Sequence, residues 1–93
     1  MFIKTFDDAT IEAVWQKGIP VSGWDATKYR KDVCGAPITR AQYGVTNHKE
    51  GWEIDHIIPD SQDGSDSLSN LRPLQWENNR SKSDGKLKCV VIS

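Results

Sequence analysis

The run Trp52-Glu53-Ile54-Asp55-His56-Ile57-Ile58-Pro59 sets aromatic and β-branched residues at strand spacing and then stops them with a proline, so a strand must end there. The stretch from Asp60 to Asn70 is dominated by Asp, Ser and Gly and cannot be buried as a regular element. Leu71-Arg72-Pro73-Leu74 reads as a returning segment that Pro73 bars from the middle of a sheet. Trp76 to Ser83 is helix-permissive, with Asp84-Gly85 as its stop. Strand, polar loop, return and helix in that order predict an α+β architecture, and 93 residues leave room for one core.

The rest of the chain must pack on that unit. Asp8 to Gly18 has an Asp start, Ile11, Val14 and Trp15 at helical spacing and a glycine stop, which predicts a short amphipathic helix with Trp15 in the core. Ile19 to Asp25 is a loop. Tyr29 to Val33 and Cys34 to Ile38 form a charged stretch leading into a small turn or strand. Tyr43 to Gly51 is a loop or hairpin turn in which His48 is solvated. Lys86 to Ile92 has strand composition and is expected to close the domain against an earlier edge. The expectation is one domain, residues 1–93, with its core at about 52–85 and its packing around Trp15, Trp24, Trp52 and Trp76.

Charge and cysteine usage narrow the class. A net charge of -1 excludes a polybasic coat for nucleic acid. Its distribution is more telling: Glu53 to Asp66 carries acids and no Lys or Arg, while Arg72, Arg80, Lys82, Lys86 and Lys88 dominate the final third. Such a division suits a cation site beside a phosphate-binding surface, and equally an ordinary mixed surface. Cys34 and Cys89 are far apart and form no Cys-x-x-Cys pair, so no local four-ligand zinc knuckle exists. A disulfide between them is conceivable, but the start of the chain turns acidic before any apolar core forms, which argues against a secretory segment and for reduced thiols in a cytosol. No apolar run approaches the ~20 residues of a membrane-spanning helix, so a soluble protein is expected.

The chemistry that fits is phosphodiester hydrolysis. It needs a base for water, a cation for the charge on phosphorus and leaving oxygen, and donors to hold the phosphate. His56 can be the base, since an imidazole with an ordinary pKa of ~6.5 is largely neutral near pH 7. Asp55 offers a hard oxygen to a divalent ion. Neighbouring strand residues face opposite ways, so the two form one site only at a strand end or distortion. A second ligand would come from the helix. Asn78 and Asn79 both qualify, but residues about 100° apart cannot both face the ion. Lys82, three positions after Asn79, lies on the same face for a phosphate oxygen, Arg80 turns toward a flanking phosphate, and Asn70 would hold the second nitrogen of His56.

Asp55-His56-Ile57-Ile58-Pro59, the loop Asp63 to Leu71 and Asn79-Arg80-Ser81-Lys82 together resemble the HNH endonuclease family over roughly Trp52 to Gly85. The resemblance implies a ββα-metal finger: Asp55 and Asn79 as ligands of one divalent cation, Mg2+ or Mn2+, His56 as general base and Asn70 as the middle residue of the signature. It places Lys82 at the closing basic position, with Arg72, Arg80 and Lys82 on the DNA backbone. It selects Asn79 over Asn78. The stretch Arg30 to Ile38 is similar to the lead-in of small stand-alone members from bacteria and phages, which implies the cytoplasm of a bacterial or phage-infected cell. Many relatives bind a structural zinc through two Cys-x-x-Cys pairs. Here Gln75 and Asn78 stand at the helix positions, so no structural zinc is expected. The implied activity is DNA nicking, by a monomer, a homodimer or a member of a larger complex. The alternative is a noncatalytic nucleic-acid-binding module.

Overall fold

A computed structural model describes residues 5–83 and 85–93. Residues 1–4 of the acidic start, and Asp84 of the expected helix stop, lie outside the described residues.

Helix α1 covers Asp8–Trp15. It begins where Asp7 accepts the Thr10 N–H at 2.8 Å, satisfying one of the donors that a helix start leaves open. It buries Ile11, Val14 and Trp15, the three residues whose spacing predicts it. It ends before the expected Gly18 because the next N–H groups tighten onto carbonyls three residues back, Lys17 onto Val14 and Gly18 onto Trp15. Trp15 donates its indole N–H to the Ala26 carbonyl at 3.0 Å, so its polar atom is satisfied while the ring is fully buried.

Two short antiparallel sheets follow. Strands β1 (Tyr29–Lys31) and β2 (Pro37–Thr39) make the first, joined by a turn that Asp32 organises by accepting the Cys34 and Ala36 N–H groups, each at 2.9 Å. Gly35 in that turn has φ 89°, a conformation that disfavours a side chain. Strands β3 (Trp52–His56) and β4 (Leu71–Gln75) make the second sheet, and helix α2 (Trp76–Arg80) leaves directly from the end of β4. Pro73 sits in β4, as the edge of a two-stranded sheet permits. The strand expected to reach Ile58 stops at His56 because Asn70 takes over its donors. The Asn70 carbonyl accepts the Ile57 N–H and its side-chain oxygen accepts the Ile58 N–H, both at 2.8 Å. Gly64 allows the intervening loop to close, since a Cβ there would fall 1.7 Å from the Ile58 carbonyl oxygen.

Strand alternation sorts β3 into two faces. Trp52 and Ile54 enter the core with Ile11, Val14, Trp15, Ile38 and Leu71, while Phe6 and Tyr43 pack against it. Trp15 and Trp52 meet at 5.4 Å, and Tyr43 meets Trp52 edge-on at 4.9 Å. The expected packing around four tryptophans is corrected to two: Trp24 is 38% exposed, and half-buried Trp76 donates to the His48 carbonyl at 3.1 Å. Exposed His48 accepts the Glu50 N–H through Nδ1.

Two further expectations fail at the C-terminal end. Residues 86–92 form no strand. Their backbone is met by a side chain instead: Asn78 Oδ1 accepts the N–H groups of Val90 and Val91, and Asn78 Nδ2 donates to the Val91 carbonyl, all at 2.8 Å. That clasp brings Cys89 over the β1–β2 turn, where it forms a disulfide with Cys34 in place of the expected free thiols. Among the described residues no helix is long and apolar enough to cross a membrane.

Candidate functional site

The outward face of β3 presents Glu53 and Asp55, and both carboxylates are met by cations from β4 and α2. Asp55 is only 5% exposed and carries two ion pairs, with Arg72 Nε on Oδ2 and Lys82 Nζ on Oδ1, each at 2.7 Å. Arg72 lies directly across the ladder from Asp55, so strand register alone brings those two together. Lys82 follows the end of α2 and also donates to the His56 carbonyl at 2.7 Å. Glu53 accepts from Arg80 Nε at 3.1 Å, Arg80 Nη2 at 2.8 Å and Asn79 Nδ2 at 3.0 Å. Burial alone would push the Glu53 carboxyl up, but the hydrogen bonds from Arg80 and Asn79 and the Arg80 charge outweigh it and hold Glu53 below its ordinary value.

Beside these side chains lies a cleft of about 430 Å³ between the end of β3, the turn Asp60–Gln62 and α2. Asp55, His56, Asp60, Gln62, Asn79 and Lys82 all line it. The strand-end condition is met, since β3 finishes at His56. Asn78 and Asn79 separate as helix geometry demands. Asn78 is fully buried and points at the C-terminal tail and at Asp32, whereas Asn79 lines the cleft. With the Asn79 amide nitrogen bound to Glu53, the atom left to accept from or coordinate a cation is the carboxamide oxygen.

Asn70 does not hold the imidazole of His56, contrary to expectation. Its side chain is used on the backbone, accepting from Ile58 and donating to the Ile58 and Ser65 carbonyls, because the loop it closes would otherwise leave those groups unpaired. The ring partner is Asp66, whose Oδ1 lies 2.7 Å from His56 Nε2. Phe6 packs on the same ring with centroids 6.1 Å apart. The three cations expected on a nucleic-acid backbone are each bound to a carboxylate of β3, Arg72 and Lys82 to Asp55 and Arg80 to Glu53; Arg80 is the most open of them at 61% exposure. Asp66 and Glu53 are the partners of His56, Asn79 and Arg80 that sequence reasoning missed. Their only sequence signal is membership of the acidic run from Glu53 to Asp66.

A hard-cation site must be judged on the donor set. Among the described residues no three or more His, Cys, Asp or Glu side chains gather to hold a metal. The carboxylates of Asp55 and Asp60 and the carboxamides of Gln62 and Asn79 line the cleft, and their oxygens are the hard donors that a divalent ion retaining several of its waters accepts. The spot also holds positive charge already: the Lys82 ammonium bridges Asp55 and a backbone carbonyl there. The residues present therefore fit a hydrated divalent cation.

The Gln75 and Asn78 pair serves a different end. Asp32, 1% exposed, accepts the Gln75 N–H at 2.9 Å and the Asn78 side chain at 3.0 Å through one oxygen, while Gln75 Oε1 caps α2 by accepting from Glu77 and Asn78. This buried polar knot fastens α2 to the β1–β2 turn. Comparison with known proteins gives one finding. The family model described as HNH endonuclease matches residues 32–85, a span that begins at Asp32 of this knot, upstream of the strand where the sequence pattern alone starts the core. No curated protein and no solved structure gives a match.

Proposed function

This chain belongs to the HNH endonuclease family, whose model covers more than half of its 93 residues, and from that premise we propose that it is a metal-dependent DNA endonuclease that nicks one strand at a time. The observation that carries the reading is the single cleft lined by Asp55, His56 and Asn79. In this reading β3, β4 and α2 are the ββα-metal finger. Asp55 and Asn79 would hold one divalent ion, with Mg2+ or Mn2+ suited to the oxygen donors. When bound, such an ion neutralises charge developing on the phosphate and the leaving oxygen.

The protein's own residues supply the proton chemistry. A carboxylate can only accept, so Asp66 at 2.7 Å from Nε2 requires a hydrogen on that nitrogen. In the neutral ring this leaves the lone pair on Nδ1, the atom that takes the proton from water. Asp66 thus orients His56, the role that the sequence pattern gave to Asn70. Asn70 acts one step further back by fixing the backbone around Ile57 and Ile58. Exposed Arg80, paired with Glu53, and Lys82 and Arg72, paired with Asp55, bring positive charge beside the β3 carboxylates for the DNA backbone.

The test is relaxation of supercoiled plasmid with wild type, His56→Ala and Asp66→Ala across a panel of divalent ions. Wild type should nick, His56→Ala should lose the activity, and Asp66→Ala should retain about one tenth to one hundredth of it, the usual cost of an orienting partner. Equal nicking by wild type and His56→Ala sinks the assignment. The double ion pairing of Asp55 favours one rival, a binding module in which that carboxylate is structural. That rival requires DNA binding without cleavage in every metal tested.

A further inference from the structure

Both carboxylate oxygens of Asp55 are already engaged, Oδ2 by Arg72 and Oδ1 by Lys82. A divalent ion bound to Asp55 would face an ammonium and a guanidinium at contact distance in a site where the carboxylate is 5% and Lys82 10% exposed. Little solvent screens such repulsion, so one of the two cations has to leave. Arg72 sits in β4 directly across the ladder from Asp55, so strand pairing keeps it opposite the carboxylate. Lys82 lies beyond the end of α2, outside any helix or strand, on a flexible four-carbon stem. Its second bond is to the His56 carbonyl, an oxygen at the same cleft.

We propose that Lys82 is a resident cation on Asp55 and the His56 carbonyl that gives up both when a divalent ion binds Asp55, becoming available to a substrate phosphate only then. The proposal rests on the reading of Asp55 as a metal ligand. It gives Lys82 two successive partners: it neutralises a buried carboxylate before loading, and it offers its charge to the phosphate afterwards. Metal binding and the phosphate grip are thereby coupled through one side chain.

The decisive experiment is amine-reactive ester labelling of the native protein along a Mn2+ titration, with the modification of Lys82 read by peptide mass spectrometry and normalised to exposed Lys49. Calorimetry on wild type, Asp55→Asn and Lys82→Met gives Mn2+ affinity in parallel. Lys82 modification should rise several-fold as Mn2+ saturates, and Lys82→Met should bind Mn2+ about tenfold tighter, equivalent to about 1.4 kcal/mol. Slower or unchanged labelling, while Asp55→Asn abolishes Mn2+ binding, overturns the resident-cation proposal and leaves the metal site standing. Wild-type Mn2+ affinity in Asp55→Asn instead overturns the metal site itself, and the proposal with it. If Lys82→Met does not fold, labelling of the native chain decides alone.

Discussion

Glu53 shows how a single residue ties stability to the site. Its carboxylate ties β3 to the cleft residue Asn79 and to the exposed Arg80 through three hydrogen bonds. Its pKa lies below the ordinary 4.5, burial being outweighed by the Arg80 and Asn79 bonds. A depressed value in the folded state means the stabilisation is complete above the unfolded pKa and is lost as pH falls through the folded one. Thermal melts should therefore separate wild type from Glu53→Gln fully at about pH 6, and the gap should shrink below about pH 4. A gap of constant size down to about pH 3 would contradict this origin. That Asp55, His56 and Asn79 line one cleft was legible at this scale because their spacing resembles a family signature. Glu53 and Asp66 were not. Their partners are chosen by how the loop closes, and a run of acids carries no information about which carboxylate meets which donor.

The element that matters most is α2, and with five residues it is far too short to persist by itself. It is held by the Gln75 cap at its start and by Asn78, which bonds Asp32 on one side and the C-terminal tail on the other. Asn78→Ala would leave the N–H groups of Val90 and Val91 and an oxygen of Asp32 short of partners, a loss of about 3 kcal/mol. For a domain of this size that corresponds to a melting temperature lower by roughly 10–20 °C, measurable by circular dichroism, and nicking should fall with it because Asn79 and Lys82 ride on the same segment. A shift of only a degree or two would mean that the tail is not anchored there. Choosing between Asn78 and Asn79 was possible from helix periodicity plus the resemblance. The function of the rejected residue was not, because the tail it clasps is unconnected to it by any local pattern. The same gap explains the failed strand at residues 86–92: β-prone composition makes a ladder only where a sheet edge is presented to it.

At the scale of the whole molecule the Cys34–Cys89 bridge joins positions 55 apart in sequence and closes most of the chain into a loop. Such a cross-link stabilises chiefly by restricting the unfolded chain, typically by about 2–4 kcal/mol. Melting under a dithiol reductant, or of Cys89→Ser, should be lower by roughly 10–25 °C. Identical melts with and without reductant would show that the buried knot of Asp32, Gln75 and Asn78 alone holds the tail. Disulfides persist in oxidising surroundings and are reduced in most cytosols. The expectation of a cytosolic home therefore loses the thiol argument on which part of it stood.

The helix bearing Ile11, Val14 and Trp15 and the strand, polar loop, return and helix from Trp52 to Arg80 were written in the chain, because periodicity and turn chemistry act within a few residues of one another, while the meeting of Asp55, His56 and Asn79 at one cleft followed from the family resemblance. Only the tertiary structure decided that Asp66 rather than Asn70 meets the imidazole, that Lys82 and Arg72 share Asp55, and that Cys34 meets Cys89. Each of those pairings joins segments far apart in the chain, brought together by loop closure, strand register or the docking of the tail, and none of these is a property of a local stretch of sequence.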